Sequence, residues 1–246
     1  MSRGPERERS VEYQPGSPEH RAGHHIAVFG SGSKEKKYRR TLRVAKEVAR
    51  ALMLESGFRL VTGGINTGIM HVVAHEAMKI AREAKRRDLI PKGIAPKGLP
   101  RWSRTPGKIE VEKDNKRTGR LVNESDGYVV FNGSFGTQAE LDYALCDDTR
   151  AALHKPVVIL DESGRHVQFT QRLLNRGLVT LDMLHDVYVV TTPAEAHLVL
   201  ELYYRKRYGL PIDEHLVEKL YALHVSHHLS APKELSAPES VENNGL

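Results

Sequence analysis

The amino-acid sequence predicts a doubly wound α/β fold: a parallel sheet with helices on both faces and a helical C-terminus. Three observations carry that prediction. A short apolar run feeds a Gly-rich loop that opens into a helical pattern at three separate places, beginning at Ile26, Phe58 and Gly127. Strand and helix patterns alternate along the middle of the chain, which argues for parallel strands joined by right-handed crossovers. Residues 193–208 and 212–228 are consecutive helical patterns with no strand between them.

Taken in order, the first unit has a strand at residues 26–29, then Gly30, Ser31, Gly32 and Ser33, then a helix rich in Arg and Ala through Leu54. The second runs from a strand at 58–61 through Gly63, Gly64 and Gly68 into another helix. A third short strand is expected at 92–96, a fourth at 127–131, a fifth at 156–160 and a sixth at 186–192, with helices in the gaps. Residues 1–22 and 229–246 mix Pro, Gly, Ser and charge without periodicity. They are expected to be disordered tails around a single domain spanning 23–228.

Composition narrows the class. The chain has 246 residues, 39% hydrophobic and 28% charged, enough for one domain with an adequate core. No apolar run approaches the ~20 residues of a membrane span, and MSRGPERERS lacks the apolar stretch of a secretory signal, so a cytoplasmic protein is expected. The single cysteine, Cys146, has no partner for an internal disulfide and falls in a helix pattern with Leu141 and Leu145, where packing is the expected role. Charge is concentrated: between Lys79 and Arg120 there are 14 Lys and Arg against 5 Asp and Glu, a local excess larger than the formal +6 of the whole chain. Such a field can steer a phosphorylated small molecule toward a cleft. Nucleic acid is disfavoured as a partner, because the segment holds one aromatic residue, Trp102, and none of the common recognition motifs.

The most informative stretch is DGYVVFNGSFGTQAELDYAL, from Asp126 to Leu145. Backbone N–H groups of Gly133, Ser134, Gly136 and Thr137 at the start of a helix have no intrahelical acceptor and sit at the positive end of its dipole, which makes an anion site. Glu140 follows one turn later. A carboxylate there serves either as a dipole partner or in chemistry on a sugar phosphate. Better-known nucleotide motifs fail. The Gly30 loop has Glu35 where a dinucleotide fingerprint needs its third glycine, which disfavours NAD. The Gly63 to Gly68 loop has P-loop spacing but continues Ile69-Met70 in place of Lys and Ser or Thr, which disfavours an ATPase. His71 and His75 share a helix face, but Glu76 follows the second His, so HExxH is absent and a structural role is favoured over a metal site. Neither a metal nor another cofactor is expected.

The motifs together resemble those of the Lonely guy (LOG) phosphoribohydrolases, a family also related to molybdenum-cofactor carrier proteins. They are FGSGS at Phe29 to Ser33, GGINTGIM at Gly63 to Met70, KRTGRL at Lys116 to Leu121 and NGSFGTQAE at Asn132 to Glu140. The resemblance implies a Rossmann-like domain, usually dimeric, that cleaves the N-glycosidic bond of a nucleoside 5′-monophosphate to free base and ribose 5-phosphate without a metal. It also implies that Glu140 and Arg117 are catalytic and that Gly133, Gly136 and Thr137 hold phosphate. Asn132 and Ser134 complete that loop, and Gly30, Ser31, Gly63, Gly64 and Gly68 complete the expected nucleotide site. The chain departs from the family at Asn132 (Pro), Ser134 (Gly), Thr118 (Lys) and Ile65 (Gly), which leaves open a substrate other than a cytokinin nucleotide. The loop within 97–112 matches no family pattern and is the expected determinant of base preference.

Two classes of function stand at this point. One is an enzyme, a nucleoside monophosphate N-glycosidase. The other is a non-catalytic carrier or sensor that binds a nucleotide or phosphorylated cofactor on the same fold. Arg117 and Glu140 together favour the enzyme, because a phosphate site alone needs no carboxylate near the sugar.

Overall fold

Alternate residues of the central strands feed two separate cores, as expected for a sheet covered on both faces. The computed structural model describes residues 14–32, 39–133, 135–146, 151–161 and 164–229. Its strands are β1 (His25–Phe29), β2 (Arg59–Thr62), β3 (Lys92–Pro96), β4 (Lys108–Glu112), β5 (Gly127–Phe131), β6 (Val157–Leu160) and β7 (Val187–Val190). They form one sheet in the order β4-β3-β2-β1-β5-β6-β7, and every neighbouring pair is parallel. This is the Rossmann-like α/β architecture expected from the sequence.

The helices are α1 (Pro18–Ala22), α2 (Arg39–Arg50), α3 (Gly68–Glu83), α4 (Asp114–Asn123), α5 (Phe135–Cys146), α6 (Arg165–Asn175), α7 (Pro193–Arg207) and α8 (Glu214–Ala222). Ile26, Val28, Leu60, Val129 and Val158 pack with residues of α2, α3 and α7 on one face. Ala27, Phe29, Val61, Tyr128 and Val130 pack with Leu121 and Val122 of α4 and Leu141 and Ala144 of α5 on the other. α7 begins on a full capping box: Thr192 accepts from the Glu195 N–H while Glu195 accepts from the Thr192 N–H, with Pro193 at the first helical position.

Four expectations need correction. The sheet has seven strands, because residues 108–112 pair with β3 as an edge strand and do not form a loop. Of the expected tail at 1–22, residues 1–13 lie outside the described residues and 18–22 form α1, which Ser17 caps and from which Arg21 makes a two-pronged bond to Glu201 of α7 at 2.8 and 3.0 Å. The last helical pattern is split into α8 and a short 3₁₀ turn, Val225–His228, at whose start His224 bridges to Tyr188 of β7. Cys146 is exposed at the end of α5, while Leu141, Ala144 and Leu145 face the core. Of the expected tail at 229–246, only Leu229 is described, and it packs against the second core.

Two cations of the basic segment pair with nearby carboxylates. Lys92 pairs with Glu110 at 3.0 Å and with Glu124, and Arg120 pairs with Glu110, Glu112 and Glu124. These pairs tie β3, β4 and the end of α4 together. Among the described residues, no helix is long and apolar enough to cross a membrane.

Candidate functional site

Strand order reverses between β1 and β5, and open α/β sheets bind ligands outside the carboxyl ends of the strands at such a switch point. The register sets the three Gly loops there side by side. Val28 is level with Thr62, the end of β2, and Phe29, the end of β1, is level with Val130 of β5. Gly30 and Ser31 therefore leave the same edge as Gly63 and Gly64 on one side and Asn132 and Gly133 on the other.

Hydrogen bonds knit these loops together. The buried Ser31 offers its carbonyl to the Ile69 N–H at 2.9 Å, which fastens the first loop to the start of α3. Gly68 opens α3 with a φ of +56°, and a Cβ there would stand 2.0 Å from that same Ser31 carbonyl. The second loop is held in turn by the segment after β3: Thr105 donates its N–H to Gly64 O at 3.0 Å, Asn66 donates to Ser103 O at 2.8 Å, and Ile65 bridges to Arg104. The segment that matched no motif thus lies against the second Gly loop.

Arg117 and Glu140, 23 positions apart in sequence, come together over this edge. Arg117 rises from α4 and donates its Nε to Ile94 O at 2.9 Å and its Nη2 to Gly63 O at 3.1 Å. A Cβ at Gly63 would meet Nη2 at 1.9 Å, so a glycine at 63 is what lets the guanidinium lie on the loop. From there Nη2 stands 3.5 Å from Glu140 Oε1, and both side chains are mostly buried, at 15% and 13% exposure. Burial raises the Glu140 carboxyl to about 7, against the opposing pull of the Arg117 charge. A carboxyl with this pKa can gain or lose a proton at neutral pH, which suits general acid–base work.

α5 starts at Phe135, immediately after the Gly133 loop. Gly136 and Thr137 lie in its first turn, and Glu140 follows four and three positions later on the same face. Thr137 is buried and packs over Gly133, Gly136 borders open space, and Asn132 follows β5 half-buried. Ser134 lies outside the described residues. Phe135 is 94% exposed beside this turn, a feature that burial patterning does not anticipate for an aromatic residue. The His71 and His75 rings lie 4.2 Å apart at a tilt of 44°, and both reach Asn66 Oδ1, at 2.7 and 3.2 Å. Among the described residues no third ligand converges on that pair, so its visible work is to hold the loop before α3.

Comparisons with known proteins bear on the family and the fold. The model of the SLOG cluster4 family matches residues 23–188. Two curated proteins of Oryza sativa subsp. japonica, named as the probable cytokinin riboside 5′-monophosphate phosphoribohydrolases LOGL6 and LOGL2, are each 25% identical over 182 residues. The alignments cover 72% of this chain and 70% and 72% of theirs. Among solved structures, the molybdenum cofactor binding protein from Rippkaea orientalis is 21% identical with a TM-score of 0.52, over 73% of this chain and 96% of that one. The molybdenum cofactor carrier protein from Chlamydomonas reinhardtii is 22% identical with a TM-score of 0.50, over 73% and 97%. At these identities the structural likeness shows a shared fold.

Proposed function

This chain belongs to the SLOG cluster4 family, and from that premise we propose that it is a nucleoside 5′-monophosphate N-glycosidase, releasing free base and ribose 5-phosphate. The observation that carries the reading is the buried Glu140, 3.5 Å from Arg117 and one turn inside the helix that follows the Gly133 loop. The curated relatives named as phosphoribohydrolases support it at the level of the family.

In this reading the 5′-phosphate binds at the Gly133 loop and the first turn of α5, with Gly136 and Thr137 contributing N–H donors. The ribose then lies toward Glu140. As the C1′–N bond breaks, positive charge develops on C1′, and ionised Glu140 stabilises it and takes a proton from the attacking water. The water oxygen joins C1′ and the base nitrogen leaves with the bonding pair and acquires a proton. Arg117 holds the carboxylate in place and adds positive charge near the departing group. The protein is proposed to act as a homodimer on a small-molecule nucleotide in the cytoplasm, with no bound cofactor.

The test is incubation with AMP, GMP, CMP, UMP, IMP and N6-modified adenine nucleotides, with assays for free base and ribose 5-phosphate. We expect release by the native chain, loss of turnover in Glu140→Gln with nucleotide binding retained, and a kcat/KM that rises with pH through about 7 as Glu140 ionises. Saturable binding without release from any substrate would replace this reading with the carrier or sensor. Undiminished turnover in the variant would remove Glu140 from the mechanism.

A further inference from the structure

At the opposite, amino edge of the sheet, three side chains that the nucleotide site does not use converge. His154 lies before β6, and His185 and Asp186 lie immediately before β7. Both imidazoles turn Nδ1 to one carboxylate oxygen, Asp186 Oδ2, each at 3.1 Å. The ligand atoms of the three residues all lie within 4.8 Å of one another. We propose that His154, His185 and Asp186 form a binding site for a divalent transition cation of the zinc class.

The donor set fits. Two neutral imidazoles and one carboxylate are borderline ligands preferred by zinc, and three protein ligands leave a coordination position open. In a tetrahedral site with bonds of about 2.0–2.1 Å, ligand atoms stand about 3.4 Å apart, so the existing spacing closes onto an ion by small rotations of two exposed rings. Their backbones are held. His154 adopts a φ of +51°, uncommon for a residue with a side chain, and its neighbour Lys155 is buried with Nζ donating to Val122 O and Asn123 O. The Asp186 carbonyl accepts from the Val157 N–H at 2.8 Å, and His224 Nε2 stands 3.2 Å from His185 O.

The surroundings also suit an ion with an open position. The three residues line one side of a cavity of about 700 Å³ whose other walls include Leu153, Val199, Leu202 and Leu220. Lys206 and Arg207 border it as well; Arg207 faces Asp126 at 3.8 Å and donates to Tyr203 Oη at 3.2 Å, away from Asp186.

The test is titration of the metal-free full-length chain with Zn²⁺ by calorimetry and with Co²⁺ by visible absorption at neutral pH. It is run on the native chain, His154→Ala, His185→Ala and a His71→Ala/His75→Ala double variant. The proposal expects one saturable equivalent, strong visible cobalt bands from protein ligands, and at least about a tenfold loss of affinity in each of the first two variants but not in the double variant. Both histidines are exposed, so thermal melts should show the folded state kept. The absence of stoichiometric binding, or binding lost only in the double variant, would overturn it.

Discussion

Gly63 shows how one missing Cβ sets the position of a charge. The guanidinium of Arg117 occupies the space a side chain at 63 would fill, bonding Gly63 O and Ile94 O, and only from there does it come within 3.5 Å of Glu140. Gly63→Ala displaces the tip of a flexible side chain and Met70 Sδ, and meets no backbone atom among its nearest neighbours. The fold should therefore survive while Arg117 is driven from the site. Turnover should fall about a hundredfold, as expected for losing one oriented charge donor, and Arg117→Ala in the same assay should match it. The melting temperature should move only a few degrees. A large loss of stability would mean that the loop itself, and not Arg117, depends on the glycine. Gly68 gives the contrasting case, since a Cβ there collides with the Ser31 carbonyl at a positive φ, and Gly68→Ala should damage the fold. The motifs made both loops legible in sequence, whereas the contact between Arg117 and Gly63 depends on α4 packing against β3, next to the loop that follows β2, and was not.

At the scale of elements, α1 illustrates a helix whose stability comes from a partner. It is only five residues long, too short to persist alone. Glu201 of α7 supplies the anchor: Arg21, Ser56 and Arg205 all donate to its carboxylate. Burial alone would raise that carboxyl, but these donors outweigh it and hold it down at about 2. Arg21→Ala should lower global stability by about 1–2 kcal/mol, since the pair is mostly but not fully buried and Glu201 keeps two donors. Amide exchange should accelerate at residues 18–23 in the same variant, and unchanged protection there would show that α1 is held by its apolar contacts instead. Composition hid this element because Pro, Glu and Arg around it read as a tail, although Ser17 before Pro18 is a helix-start signal. The edge strand β4 was hidden by its charges. Lys108, Glu110 and Glu112 alternate with Ile109 and Val111, a period-two pattern, but the Pro, Trp and Gly before it read as loop. The central strands were legible because both their faces are apolar, and the His154, His185 and Asp186 cluster was not, because 31 positions separate His154 from His185 and only the sheet brings them together.

Across the whole molecule, two buried groups impose opposite pH dependences on stability. Burial among aromatic rings lowers the His24 imidazole from 6.5 to about 4, with Asp126 opposing. Between those values the unfolded chain binds more protons, so His24 makes stability rise with pH through that window. Glu140 does the reverse: burial raises it from 4.5 to about 7, the folded chain binds more protons between those values, and stability falls as pH rises through them. Where the windows overlap the two slopes oppose, and His25 and His166, also lowered by burial, add to the rising side, so the Glu140 contribution is read from the difference between the native chain and a Glu140 variant in urea unfolding. Glu140→Gln removes one slope and leaves the other. The variant should match the native chain at pH 4, gain on it steadily as pH rises, and exceed it above pH 7 by on the order of 3 kcal/mol. This gain in stability with loss of turnover is what a buried catalytic carboxylate predicts, because the environment that makes the ionised form reactive is the one that makes it costly to hold. If the variant is instead less stable than the native chain above pH 7, Glu140 is stabilised by Arg117 more than burial penalises it, and the rise of kcat/KM through pH 7 must come from another group.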